Sequence, residues 1–140
     1  MKKASWVVLF VPGLLILVFS LLSAVNAYWR NWGIGPTTLT KIEMVAPGTE
    51  VALRGSRATA AAFGVGFAVL FLSIVLGPYR RGEVWAWWAI LGSMLSFAAI
   101  VLLLVPVLGT TLGTTPAVVP LVIVLVALLL DLGRLRAPNS

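Results

Sequence analysis

Gly77-Pro78-Tyr79-Arg80-Arg81-Gly82-Glu83-Val84-Trp85-Ala86-Trp87-Trp88 is short, basic and aromatic, and a long apolar run lies on each side of it. Adjacent arginines avoid hydrocarbon, whereas tryptophan and tyrosine favour the headgroup layer. The stretch therefore reads as a tight hairpin between two membrane-spanning helices, at the level of the lipid headgroups. Its orientation sets the orientation of the whole chain.

The rest of the composition agrees. Of 140 residues, 61% are hydrophobic and 10% charged, against about 45–50% and about 25% in a soluble domain. The length suits one domain. There are no cysteines and no histidines. That removes disulfides, thiol chemistry, thiolate metal sites and imidazole ligands, so no cofactor is expected. The net charge is +6. Because the basic residues flank apolar runs, anionic lipid headgroups are the expected partner, and nucleic acid is not.

Four runs qualify as spans, since about 20 residues cross about 30 Å of hydrocarbon. They cover about 4–26, 58–77, 84–106 and 116–132. In the first, Pro12-Gly13 predicts a kink. A rival reading takes Lys2-Lys3, the apolar core and Val25-Asn26-Ala27 as a secretory signal cleaved after Ala27, which would leave three spans. Pro78 is expected to end the second span, with Glu83 at the start of the third, where the helix dipole favours an anion. The third stops near Pro106. A turn follows over 109–115, where Thr115-Pro116 reads as a helix cap and first-turn proline. A frayed tail covers 137–140.

Residues 27–57 form the one long polar stretch. It opens on the aromatic Tyr28-Trp29-Arg30-Asn31-Trp32, then turns at 33–36. The favoured reading is a short interfacial helix near 38–45, a break at Pro47-Gly48, and a helical lead-in capped by Thr49. A β-hairpin turning at Pro47-Gly48 is the alternative.

The fold class is thus all-α: an integral membrane four-helix bundle with one long extracytoplasmic loop between helices 1 and 2. Four spans place both termini on one side with Lys2, Lys3, Arg80, Arg81, Arg134 and Arg136. The other side holds Arg30, Lys41, Arg54 and Arg57, all in the long loop. Short loops weigh most in the positive-inside rule. The termini and the Arg80-Arg81 hairpin are therefore expected in the cytoplasm, and the chain in the plasma membrane as a multi-pass protein. The aromatic residues agree. Trp6, Tyr79, Trp85, Trp87 and Trp88 fall at inner ends, Tyr28, Trp29 and Trp32 at an outer end, and none mid-span.

The second span carries two rows of small residues four apart: Ala60, Gly64 and Ala68, and Ala58, Ala62 and Gly66. Small residues let backbones approach in lipid. Ala60, Gly64, Gly66 and Ala68 are therefore candidate packing positions, and two rows suggest a helix between two neighbours. Phe63, Phe67 and Leu70 lie between the rows.

Chemistry-bearing residues are few. The spans hold no ionisable residue away from their ends, which argues against a proton relay. Ser20, Ser23, Ser73, Ser93 and Ser96 lie in spans and are expected to bond their own helix or to pack. Arg80 and Arg81 are candidate contacts for a lipid phosphate. Glu43, Glu50, Arg54 and Arg57 are candidates for an outer polar cap or partner surface. Asp131 is expected as a solvated partner of Arg134 or Arg80.

The segment Pro78–Trp88, set between a Gly/Ala-rich span and an aliphatic one, resembles a hairpin of small prokaryotic four-span membrane proteins, loosely similar to the DoxX-like group. The likeness covers about residues 57–104 and its motif is a topology device. It implies a four-helix membrane bundle and supplies no catalytic residues. The functional expectation is a structural or accessory subunit of a membrane assembly, with a protein partner or a second copy. A binder or carrier of an apolar small molecule such as a lipid or quinone is the alternative, and an enzyme ranks last.

Overall fold

Helix dominates the chain, as its long runs of Leu, Val and Ala dictate. The computed structural model describes residues 5–29, 33–34, 37–104, 107 and 114–136, with the side chains of 34, 104, 114–117, 134 and 136 left aside. Lys2-Lys3, Arg30 to Trp32, the stop near Pro106, most of the turn at 109–115, the cap side chains at Thr115-Pro116, the Arg134 and Arg136 side chains and the tail at 137–140 lie outside the described residues.

Helix α1, Ser5–Trp29, runs through Pro12. A short antiparallel ladder follows, β1 Gly33–Ile34 with β2 Thr37–Thr38, pairing Gly33 with Thr38 and Ile34 with Thr37. Helix α2, Leu39–Val45, buries Leu39 and leaves Met44 and Val45 exposed. This is the short helix expected there. Pro47 and Gly48 turn the chain between two helices, so the hairpin alternative at that point falls. Gly48 has φ +89°, a backbone state that glycine enters without steric cost.

Helix α3, Thr49–Ile74, includes the expected helical lead-in and so begins nine residues before the second span. It does not stop at Pro78. Residues Val75–Tyr79 form a π-helical turn containing Pro78, and helical backbone continues to Arg81. The wider turn gives the proline ring room beside the preceding carbonyls, and Arg80 N–H reaches back to Val75 O. The stop comes at Gly82, with φ +93°. Gly82 N–H donates to Tyr79 O at 3.1 Å and Glu83 N–H to Pro78 O at 3.0 Å. That pair of bonds is the Schellman motif, with glycine at its left-handed position. The hairpin expected over 77–83 therefore shrinks to Gly82 and Glu83.

Helix α4, Val84–Ala99, runs into a second π-helical turn, Ile100–Leu104. Helix α5, Thr114–Leu130, has 17 residues, or roughly 26 Å at 1.5 Å per residue. A 3₁₀ turn, Leu132–Arg136, follows it. Three helical stretches are long and apolar enough to cross a membrane: Ser5–Trp29, Thr49–Tyr79 and Val84–Leu103. The fourth expected span is the shorter α5.

The chain divides into two compact units. One is Leu15–Val69, whose buried residues include Ala27, Leu39, Ala61 and Ala68. The other comprises the segments up to Leu14 and from Leu70 onward. Its core holds Leu9, Phe71, Val75, Tyr79, Trp87, Ile90, Met94, Val124 and Leu128.

Candidate functional site

Two polar clusters stand out, one in each unit. In Leu15–Val69 the cluster is centred on the start of α3. A helix leaves its first N–H groups without intrahelical partners. Thr49 was expected to supply the cap, but Glu43 on α2 reaches across instead. Its Oε1 accepts from Gly48 N–H at 2.7 Å and its Oε2 from Glu50 N–H at 2.8 Å. The two N–H groups favour the anion and hold the Glu43 carboxyl below its ordinary pKa, against a small desolvation effect.

Arg54 does the converse for α1. Its Nη1 donates to Ala27 O at 2.7 Å and Tyr28 O at 3.1 Å, two of the carbonyls left over at a helix C-terminus. Its Nε and Nη2 both lie 2.8 Å from Glu50 Oε1. Arg57 Nε donates to Ser23 Oγ at 3.2 Å. Ser23 thus receives a bond from another helix rather than serving only its own, contrary to expectation. Ser93 and Ser96 do bond their own helix, at Ile90 O and Gly92 O. All four residues proposed as an outer polar surface are therefore brought together, and each is bonded within the chain.

Beside Arg54 a cleft of about 290 Å³ is lined by Ala27, Tyr28, Val51, Arg54, Gly55 and Ala58. Its walls are apolar and its one charged group is the Arg54 guanidinium.

The small-residue rows fare unequally. Gly64 faces Ser20, and a Cβ built on it would meet Ser20 Oγ and stand 3.1 Å from Ser20 Cβ. Ala68 is fully buried. Ala60, Ala62 and Gly66 are exposed, and a Cβ at Gly66 would meet nothing within 4 Å. In the second row, Ala62 and Gly66 are thus left unpacked among the described residues, and Ala58 is half-buried. The face that does pack is Arg54, Arg57, Ala61, Gly64 and Ala68, at alternating steps of three and four. That spacing keeps residues on one stripe, whereas an i, i+4 row turns about 40° at every step. Gly13 is a further close approach that the sequence reading missed. A Cβ there would stand 2.7 Å from Leu72 Cδ2 and 2.9 Å from Phe71 Cδ1.

The second cluster belongs to the other unit. Ser5 and Asp131 are both buried, with Ser5 Oγ donating to Asp131 Oδ2 at 3.4 Å. Asp131 was expected to be solvated. Its carboxylate lies at the start of α1, where the helix dipole favours a negative charge. Arg81 Nε donates to Glu83 Oε1 at 2.9 Å, and Trp85 Nε1 donates to Glu83 Oε2 at 2.5 Å. Arg80 places its guanidinium 5.1 Å from the centre of the Trp6 ring. Trp87 is buried, and its Nε1 donates to Leu128 O at 3.1 Å. Trp85 and Trp88 are exposed.

No three acidic side chains gather among the described residues. No family model, no curated protein and no solved structure matches this chain.

Proposed function

We propose that this chain is a multi-pass plasma-membrane protein acting as a structural or accessory subunit of a membrane assembly. We place its termini and Arg80-Arg81 on the cytoplasmic side, and its fold among four-helix membrane bundles like the small prokaryotic group named above. The observation that carries the functional reading is the state of the polar groups. Glu43 caps the start of α3, Arg54 and Arg57 join α3 to α1, and Glu50 holds Arg54 from one turn away on α3. Groups engaged in this way hold a scaffold together, whereas a catalytic site leaves them facing a pocket; Arg54 lines the cleft, but its donors are taken by Ala27 O, Tyr28 O and Glu50. Part of what faces outward on α3 is apolar. Ala62, Phe63, Gly66 and Leu70 form an exposed stretch of α3, and at Gly66 a second backbone has room to approach.

Purification in mild detergent, with mass spectrometry of whatever remains bound, tests this. A stoichiometric protein partner or a second copy supports the reading. A retained apolar small molecule with no protein favours the second reading, a binder of such molecules. The apolar cleft beside Arg54 is the observation behind that alternative.

A further inference from the structure

We propose that Arg80 binds the phosphate of an anionic phospholipid, and that Arg81 does not share this role. The inference rests on the chain's being membrane-embedded. The two arginines are neighbours in sequence, yet their surroundings differ. Arg81 is paired with Glu83 through Nε at 2.9 Å. Arg80 makes no hydrogen bond or ion pair among the described residues, and its contact is the face of Trp6. Stacking engages the flat face of a guanidinium and leaves its in-plane N–H donors directed outward. Those donors match the paired oxygens of a phosphodiester. Trp6 thereby fixes the plane in which Arg80 presents its donors, and lowers the conformational freedom lost on binding.

The depth suits a headgroup. Trp85 and Trp88 are 54% and 56% exposed, and exposed indole rings settle at the interface. Leu76 lies one turn before Arg80 and is 43% exposed. An acyl chain can lie along that surface while the phosphate meets Arg80. A free phosphate would gain nothing from Leu76, so the apolar flank favours lipid over soluble anion. The net charge of +6 favours an anionic lipid over a zwitterionic one.

The test uses the full chain. Alkaline extraction of membranes comes first. A chain that washes off fails the membrane reading itself, before any lipid is measured. The retained chain is then mixed in detergent with phosphatidylglycerol and phosphatidylcholine, and bound lipid is counted by native mass spectrometry. The wild type should retain phosphatidylglycerol preferentially. Arg80→Ala should lower that retention about tenfold, the scale of one charge-assisted bond, and Arg81→Ala by less than about twofold. Trp6→Leu keeps the charge and removes the stacking surface, and should also lower retention. If Arg80→Ala loses its helical circular dichroism, the Trp6→Leu result decides. Equal losses for the two arginine variants, unchanged retention in Trp6→Leu, or equal retention of both lipids would overturn the proposal. So would displacement of the lipid by inorganic phosphate beyond that caused by chloride at the same ionic strength.

Discussion

Gly64 and Gly66 stand two residues apart on α3 and meet different surroundings. Gly64 has Ser20 against it, and Gly66 has open space. Leucine at Gly64 must displace a neighbour, which costs about 1–3 kcal/mol, while the gain in helix propensity returns less than about 1 kcal/mol. Gly64→Leu should therefore lower the melting temperature in detergent. Gly66→Leu should leave it unchanged or slightly raised, and should weaken any association made through that face. Similar losses in both variants would mean that close approach at Gly64 does not matter. Glu43 gives a second test. Its carboxyl is held below the ordinary value in the folded state, so its contribution to stability is present above that value. It is lost as pH falls through the depressed one. Melting temperature followed downward from pH 6 should fall below about pH 4.3, the usual glutamate value. Part of that fall should vanish in Glu43→Gln, and an identical profile in the variant would remove Glu43 from the account. The sequence offered Glu43, Glu50, Arg54 and Arg57 as a group because they are the charges of one polar stretch. It did not say that they bond to other parts of the same chain, since a charge pattern names no partner. Asp131 shows the same limit: it is buried and accepts a bond from Ser5, 126 residues away.

At the scale of the element, α3 was legible in type and in its start at Thr49, and misjudged in the source of its cap and at its C-terminal end. Its apolar run drew the helix, but the N-terminal cap comes from another helix through Glu43, and no local rule signals a distant cap. The C-terminal end was available in Arg80-Arg81-Gly82, basic residues followed by a C-terminal glycine. Pro78 drew the boundary too early because a proline is tolerated once the turn widens to π geometry. Gly82→Ala should thus cost about 1 kcal/mol or more, as an L-residue is forced into a left-handed state. The packing face was also present in the sequence, as the alternation of three and four from Arg54 to Ala68, and it continues in spacing to Phe71 and Val75. Rows of fixed i, i+4 spacing cannot find it, because they drift around the helix. Arg54 ties α3 to the end of α1. Arg54→Ala leaves the part-buried Ala27 O and Glu50 without their donor, each at a cost up to about 1–3 kcal/mol, while water can take its place at the exposed Tyr28 O. Its melting temperature should drop, and the amides of the last turn of α1 should exchange hydrogen faster. A drop without faster exchange would point to lost packing instead.

For the whole molecule, composition decides most. Runs of apolar residues this long bury their backbone polarity in helices because hydrocarbon offers no other partner. Three of the stretches drawn from hydropathy have the length and character of spans, and α5 is shorter. The polar segment between the first two spans is largely folded: α2, the β1–β2 ladder and the first turns of α3 occupy much of it. Its short pieces carry weak periodicity, which is why helix and hairpin both remained open there. The proposed arrangement puts that segment outside the cell and Arg80-Arg81 inside. Because the chain has no cysteine, single cysteines report on this directly. Pro47 lies in the exposed turn before α3, and the Arg81 side chain is 70% exposed. Pro47→Cys and Arg81→Cys are each treated with a membrane-impermeant thiol reagent in intact cells, then after permeabilisation. The account predicts labelling of Pro47→Cys in intact cells, and of Arg81→Cys only after permeabilisation. Labelling of both in intact cells, or the reversed pattern, would contradict it.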